Sequence, residues 1–183
     1  TFQIESPFPA FGDLDGDGDL DALVGDELGR IHQFDNVAEA GSWPEFQLAA
    51  LSIPDGETGE AIDVGQFATP QLLDMDGDGD LDLVVGEKNG TLTLFERSSL
   101  GTWSLYSSPV NGDNWGGILV DNLLGINGYS VPALTGTDDG LRVFVANETG
   151  TVQDFGIATG DWDAVLAEVE SAVFGPRNGF RAA

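Results

Sequence analysis

Two nonapeptides carry the densest chemistry in the chain: Asp-Leu-Asp-Gly-Asp-Gly-Asp-Leu-Asp at 13–21 and Asp-Met-Asp-Gly-Asp-Gly-Asp-Leu-Asp at 74–82. Five carboxylates in nine residues repel one another unless a cation neutralises them. Oxygen-only donors suit a hard cation; calcium takes about six to eight such oxygens, whereas magnesium keeps its waters and rarely uses an all-protein cage. The spacing therefore predicts two calcium sites. In the first, Asp13, Asp15, Asp17 and Asp21 supply side chains, Gly18 makes the turn and Asp19 offers its carbonyl. In the second, Asp74, Asp76, Asp78 and Asp82 supply side chains, with Gly79 and Asp80 in the matching places.

The residues after each loop say what must position it. An EF-hand would place a helix there and often a bidentate Glu at position 12. Position 12 is Val24 or Val85, followed by Gly25 or Gly86. The short apolar runs Leu20–Val24 and Leu81–Val85 read as buried strands. The loops are therefore expected between strands, with the ninth-position Asp and water completing the shell.

A fixed period sets the architecture. Pro9 and Pro70, Asp13 and Asp74, Gly25 and Gly86, Gly29 and Gly90, and Phe34 and Phe95 are each 61 residues apart. A third copy is eroded: Pro132-Ala133-Leu134 matches Pro9-Ala10-Phe11, Leu141–Val145 matches Leu81–Val85, and Phe155 falls on Phe95. Its loop is two residues shorter, and Arg142 stands where the ninth-position Asp belongs. A guanidinium near Asp138 and Asp139 could replace the missing cation. One domain over 1–183 is expected, with repeats at about 1–61, 62–123 and 124–183. Each repeat reads as four antiparallel strands. The first runs into the loop (Ala10–Leu14, Gln71–Met75, Ala133–Thr137) and the second leaves it. The third follows a hairpin marked by Lys88-Asn89-Gly90 and covers Gly29–Asp35, Thr91–Arg97 or Thr151–Phe155. The fourth begins near Trp43, Trp103 or Trp162. The recurring Trp and Phe positions are expected to pack between units, and 163–174 is read as strand despite its helical propensity.

Four strands per unit with apolar residues on both faces describe a propeller blade. At this point the chain resembles a known family: PAFGDLDGDGDLDALVG at 9–25 and PQLLDMDGDGDLDLVVGEKNGTLTLF at 70–95 are similar to FG-GAP/VCBS repeats, and Ile62-Asp63-Val64-Gly65 fits their lead-in. The resemblance covers nearly the whole chain. It implies an all-β protein of β-propeller blades with calcium loops on one rim, between the first and second strands of a blade, as in integrin alpha subunits. Three blades are too few to close a ring, which takes about four to eight. An incomplete or partner-completed propeller is therefore expected. Asn178–Ala183 is similar to Asn127–Pro132, as though a fourth blade were about to begin, and the opening Thr1 suggests a processed chain or a fragment.

Composition narrows the function classes. Lys and Arg number 6 against 32 Asp and Glu, for a net charge of −26, which disfavours nucleic acid and anionic lipid as partners. Two calcium ions would bring that charge to about −22. No window is apolar enough to span a membrane, and weak calcium loops suit millimolar calcium outside cells. There is no Cys, and His32 is the single His, expected on a sheet surface without a catalytic partner. The reading is thus a non-enzymatic, calcium-binding extracellular structural or adhesion module that associates with itself or with further blades, and that could bind a glycan or surface protein. The alternatives are a lectin-like propeller using Trp43 or Trp115, and, more remotely, a polysaccharide lyase. The sequons at Asn89 and Asn147 could carry glycans, although turn chemistry explains them as well.

Overall fold

A computed structural model describes residues 3–39, 41–108, 111–120, 128–137, 140–158 and 165–166. The described residues are all-β apart from one short 3-10 turn at Trp115–Gly117. The first sheet is β1 (Phe8–Gly12), β2 (Asp21–Gly25), β3 (Ile31–Asn36) and β4 (Phe46–Ala50), and the second is β5 (Thr69–Leu73), β6 (Asp82–Gly86), β7 (Leu92–Arg97) and β8 (Trp103–Leu105). The third is β9 (Val131–Thr137), β10 (Gly140–Ala146), β11 (Val152–Ala158) and β12 (Val165–Leu166). Each is an antiparallel meander whose strands pair in chain order. Of the expected strand at 163–174, Val165–Leu166 pairs with β11; the remainder, with Trp162, Asp138, Asp139 and 178–183, lies outside the described residues.

The sheets stack face to face in sequence. Leu23 and Ile31 of the first sheet share a buried core with Leu83, Val85 and Phe95 of the second. Val84, Leu92 and Leu94, on the other face of that second sheet, share a separate core with Leu141, Val143 and Val145 of the third. This double covering explains why β6 is buried at all five positions and reads as a continuous apolar run instead of an alternating one. Along one edge the first strands are neighbours: β1 packs on β5, and β5 on β9.

Glycine sets how closely one sheet approaches the next. A Cβ at Gly25 would lie 2.0 Å from the Ala68 carbonyl oxygen, and one at Gly86 would lie 2.1 Å from that of Ser130. Backbone bonds tie the same places together: Ala68 N–H donates to Asp26 O at 2.9 Å, and Ser130 N–H to Glu87 O at 3.0 Å. The β2–β3 and β6–β7 hairpins are thereby bonded to the lead-ins of the second and third sheets.

Two expectations about elements need correction. The first strands begin two residues early, at Phe8 and Thr69, and end before Leu14 and Met75, whose N–H groups are drawn into the loops. Trp43 is 92% exposed and does not open a strand, whereas Trp103 is 3% exposed and does. The reason is loop length. Asn36 pairs with Phe46 while Arg97 pairs with Trp103, so the first β3–β4 connection is longer and Phe46 stands in Trp103's place.

Candidate metal centres

Both acidic loops sit where one edge strand turns into the next, and they are built alike, bond for bond. Asp13 accepts from Gly16 N–H (2.8 Å) and Gly18 N–H (3.0 Å) through its two oxygens; Asp74 accepts from Gly77 N–H (2.8 Å) and Gly79 N–H (3.2 Å). Asp15 and Asp17 cap the N–H groups of Asp17 and Asp19, and Asp76 and Asp78 cap those of Asp78 and Asp80. Gly16, Gly18, Gly77 and Gly79 all lie at φ between +79° and +96° with open space around them. Conformation, not room, is what demands glycine there.

The ninth residue does more than its ligand position suggests. Asp21 accepts from Leu14 N–H and Asn36 N–H, both at 2.9 Å, and Asp82 accepts from Met75 N–H and Arg97 N–H, both at 2.9 Å. Each carboxylate thus clamps the start of its loop to the end of the third strand. Both are nearly fully buried. Burial pushes the Asp82 carboxyl up to about 6 against two backbone donors, with Asp76 and Asp78 adding repulsion. Asp15 is also raised: the Asp17 N–H bond opposes the rise, and burial with Asp17, Asp21 and Asp13 outweighs it.

The donor geometry fits a hard cation. Oxygens of Asp13, Asp15 and Asp21 lie within 4.8 Å of one another, as do those of Asp74, Asp76 and Asp78. Oxygens on opposite sides of a calcium ion are about 4.8 Å apart, so either trio can share one ion. Asp17, Asp19, Asp80 and Asp82 are not in those trios. Asp19 is raised by burial and by Asp17, and Asp80 lies 3.9 Å from the Arg97 guanidinium.

Asp26 and Glu87 escaped the sequence reading, which credited Asn147, but not them, with turn chemistry. Asp26, Glu87 and Asn147 occupy one place, just after the second strand of each sheet, and cap the hairpin turn. Asp26 accepts from Leu28 and Arg30 N–H, Glu87 from Asn89 and Thr91 N–H, and Asn147 from Thr149 and Thr151 N–H. The signal was present, since Asp26 and Glu87 each follow a recurrent Gly. Arg97 was also missed. Its guanidinium donates to the Leu14 carbonyl of the first loop at 2.5 Å, lies near Asp80 of the second and covers the Trp103 ring.

Other side chains lie in different settings from those expected. Trp115 is fully buried and cannot stack on a ligand. His32 is 4% exposed instead of lying on a surface; its ring joins Asp26 Oδ2 (3.1 Å) to the Ser52 N–H (3.3 Å). With Nδ1 accepting, Nε2 carries the proton toward Asp26. Arg142 forms a bidentate pair with Asp154. Asn147 is buried with its side-chain oxygen committed to the turn, whereas Asn89 is exposed. No helix among the described residues is long and apolar enough to cross a membrane. In comparison with known proteins, no family model, no curated protein and no solved structure matches this chain.

Proposed function

We propose that this chain is a calcium-stabilised module of an extracellular structural or adhesive assembly, built of propeller-type blades. The observation that carries the reading is the matching hydrogen-bond pattern of two acidic loops, each of which gathers three carboxylates, at positions 1, 3 and 9 in the first and 1, 3 and 5 in the second, that one cation could share. In the first, Asp13, Asp15 and Asp21 would hold calcium with help from Asp17 and the Asp19 carbonyl. In the second, Asp74, Asp76 and Asp78 would do so with Asp80 and Asp82. Calcium supplies charge neutralisation and a cross-link between strands; no reaction is assigned to it. Face-to-face stacking of meander sheets supports the blade reading, and three sheets leave a ring to be completed by others. The charge of −26 and the loops' suitability for millimolar calcium favour a place outside the cell.

Calorimetric titration tests this directly. Two calcium ions are expected per chain, falling to one in Asp15→Ala and in Asp78→Ala, and a chelator is expected to lower the Tm. Absence of binding heat at millimolar calcium, with a Tm indifferent to chelation, would sink the reading. A carbohydrate-binding role now leans on the protruding Trp43 alone; chelator-sensitive glycan-array signals lost in Trp43→Ala would favour it.

A further inference from the structure

Every sheet presents the same two faces, and the pairing register shows which is which. One face carries the cross-strand row Phe11, Ala22, Phe34 and Leu48 in the first sheet and Leu72, Leu83, Phe95 and Leu105 in the second. The third sheet has Leu134, Val143 and Phe155 in the same row. In the second and third sheets this face is covered by the opposite face of the sheet before, so Leu83, Phe95, Trp103 and Val143 are buried. In the first sheet no described sheet covers it, although Ala22 and His32 on it are buried. Phe11 is 54% and Phe46 43% exposed, with their rings 6.2 Å apart, while Leu48 at 40% is about as open as its counterpart Leu105 at 37%. Phe46 occupies the place at which Trp103 is buried.

Contiguous exposed apolar side chains of this kind mark an interaction surface. The chemistry of the mate can be read from the two interfaces already formed: it is the opposite face of a like sheet. The described sheet with that face outward is the third, where Ala133, Thr135, Phe144 and the Arg142–Asp154 pair are partly or fully exposed. We infer that this face of the first sheet, at its exposed Phe11 and Phe46, docks the third sheet of a second copy of this chain, head to tail. The inference rests on the stacked-blade reading above and deepens it by naming the surface and its occupant. Two copies would bring six sheets together, within the range for a closed ring.

The existing interfaces also predict which residues meet. A Cβ at Gly12 would lie 3.7 Å from Leu72 Cβ. Thr135 and Phe11 are the equivalents of Gly12 and Leu72, and the separation lies within the range a disulfide spans, about 3.5–4.5 Å. The chain has no Cys, so introduced cysteines are unique. Phe11→Cys and Thr135→Cys variants, mixed under oxidising conditions in millimolar calcium and moderate salt to screen the charge, are expected to give mainly the mixed disulfide dimer. Sedimentation of the unmodified chain is expected to show concentration-dependent association. Phe11→Asp/Leu48→Lys should weaken it at least tenfold, and the control Leu100→Asp, on an exposed loop, should leave it intact.

A chain that is monomeric at all concentrations, association unaffected by Phe11→Asp/Leu48→Lys, or disulfides formed equally by each variant alone would overturn the inference. The calcium-induced rise in Tm is expected to persist in Phe11→Asp/Leu48→Lys. Its loss from the unmodified chain would instead refute the metal reading.

Discussion

Asp82 shows how one carboxylate serves two demands. Its oxygens hold the N–H groups of Met75 and Arg97, yet burial and the neighbouring Asp76 and Asp78 raise it to about 6. A raised folded pKa means that its contribution to stability is full below the ordinary carboxylate value near 4 and is lost as pH rises through about 6. In calcium-free buffer, the wild type should lose about 1–2 kcal/mol relative to Asp82→Asn between pH 4 and 7, solvent screening taking part of the full effect. With calcium present at pH 7 the order should reverse, since the ion favours the ionised form. Denaturant titrations of both proteins at each pH check the sign. Arg142→Ala should lower the Tm slightly through loss of its bidentate partner Asp154 and leave calcium stoichiometry unchanged, because the pair is remote from both acidic loops in sequence and bonding.

At the scale of the element, the hairpin between second and third strands is both a turn and a docking point. The capping residue at its start, Asp26, Glu87 or Asn147, satisfies the turn's N–H groups, while the preceding glycine, in Gly25 and Gly86, lets the next chain segment come close. A methyl group at Gly25 or Gly86 would meet backbone, which cannot swing aside as a flexible side chain can. Gly86→Ala is therefore expected to destabilise by about 1–3 kcal/mol or more, seen as a lower Tm with calcium affinity at the loops little changed. Asp26 also carries the buried His32, and His32→Ala should cost about 1–3 kcal/mol by leaving an Asp26 oxygen and the Ser52 N–H without their partner. The exposed loop that carries Trp43 shows the converse: a longer connection frees a tryptophan that the tight turn before Trp103 keeps buried.

Because each sheet shares a core with its neighbour, stability is expected to approach a sum of sheets and the interfaces between them. Arg97 links the first two sheets at the loop rim, from the Leu14 carbonyl to Asp80. Its replacement by Ala should lower the Tm and weaken calcium binding at both loops together, measurable in the same calorimetric titration. Acidity acts at this scale too. A charge of −26 on 183 residues opposes compaction and self-association, so added salt or calcium should raise both stability and assembly.

How much was legible depended on whether a feature was local. Loop conformation follows from nearest neighbours, since Asp13, Asp15 and Asp17 cap N–H groups two to five residues on and each Gly takes the one φ it alone tolerates easily; the turn of the nine-residue string was therefore legible. Strand number, hairpin turns and the 61-residue period were legible for the same reason. Exposure is not local. Whether Trp43, Trp115 or His32 faces water depends on loop length, on the pairing of Asn36 with Phe46 and on contacts between segments distant in the chain. Only the tertiary structure could decide that Arg97 reaches a carbonyl 83 residues away, or that no described sheet covers the face of the first sheet where Phe11 and Phe46 are exposed.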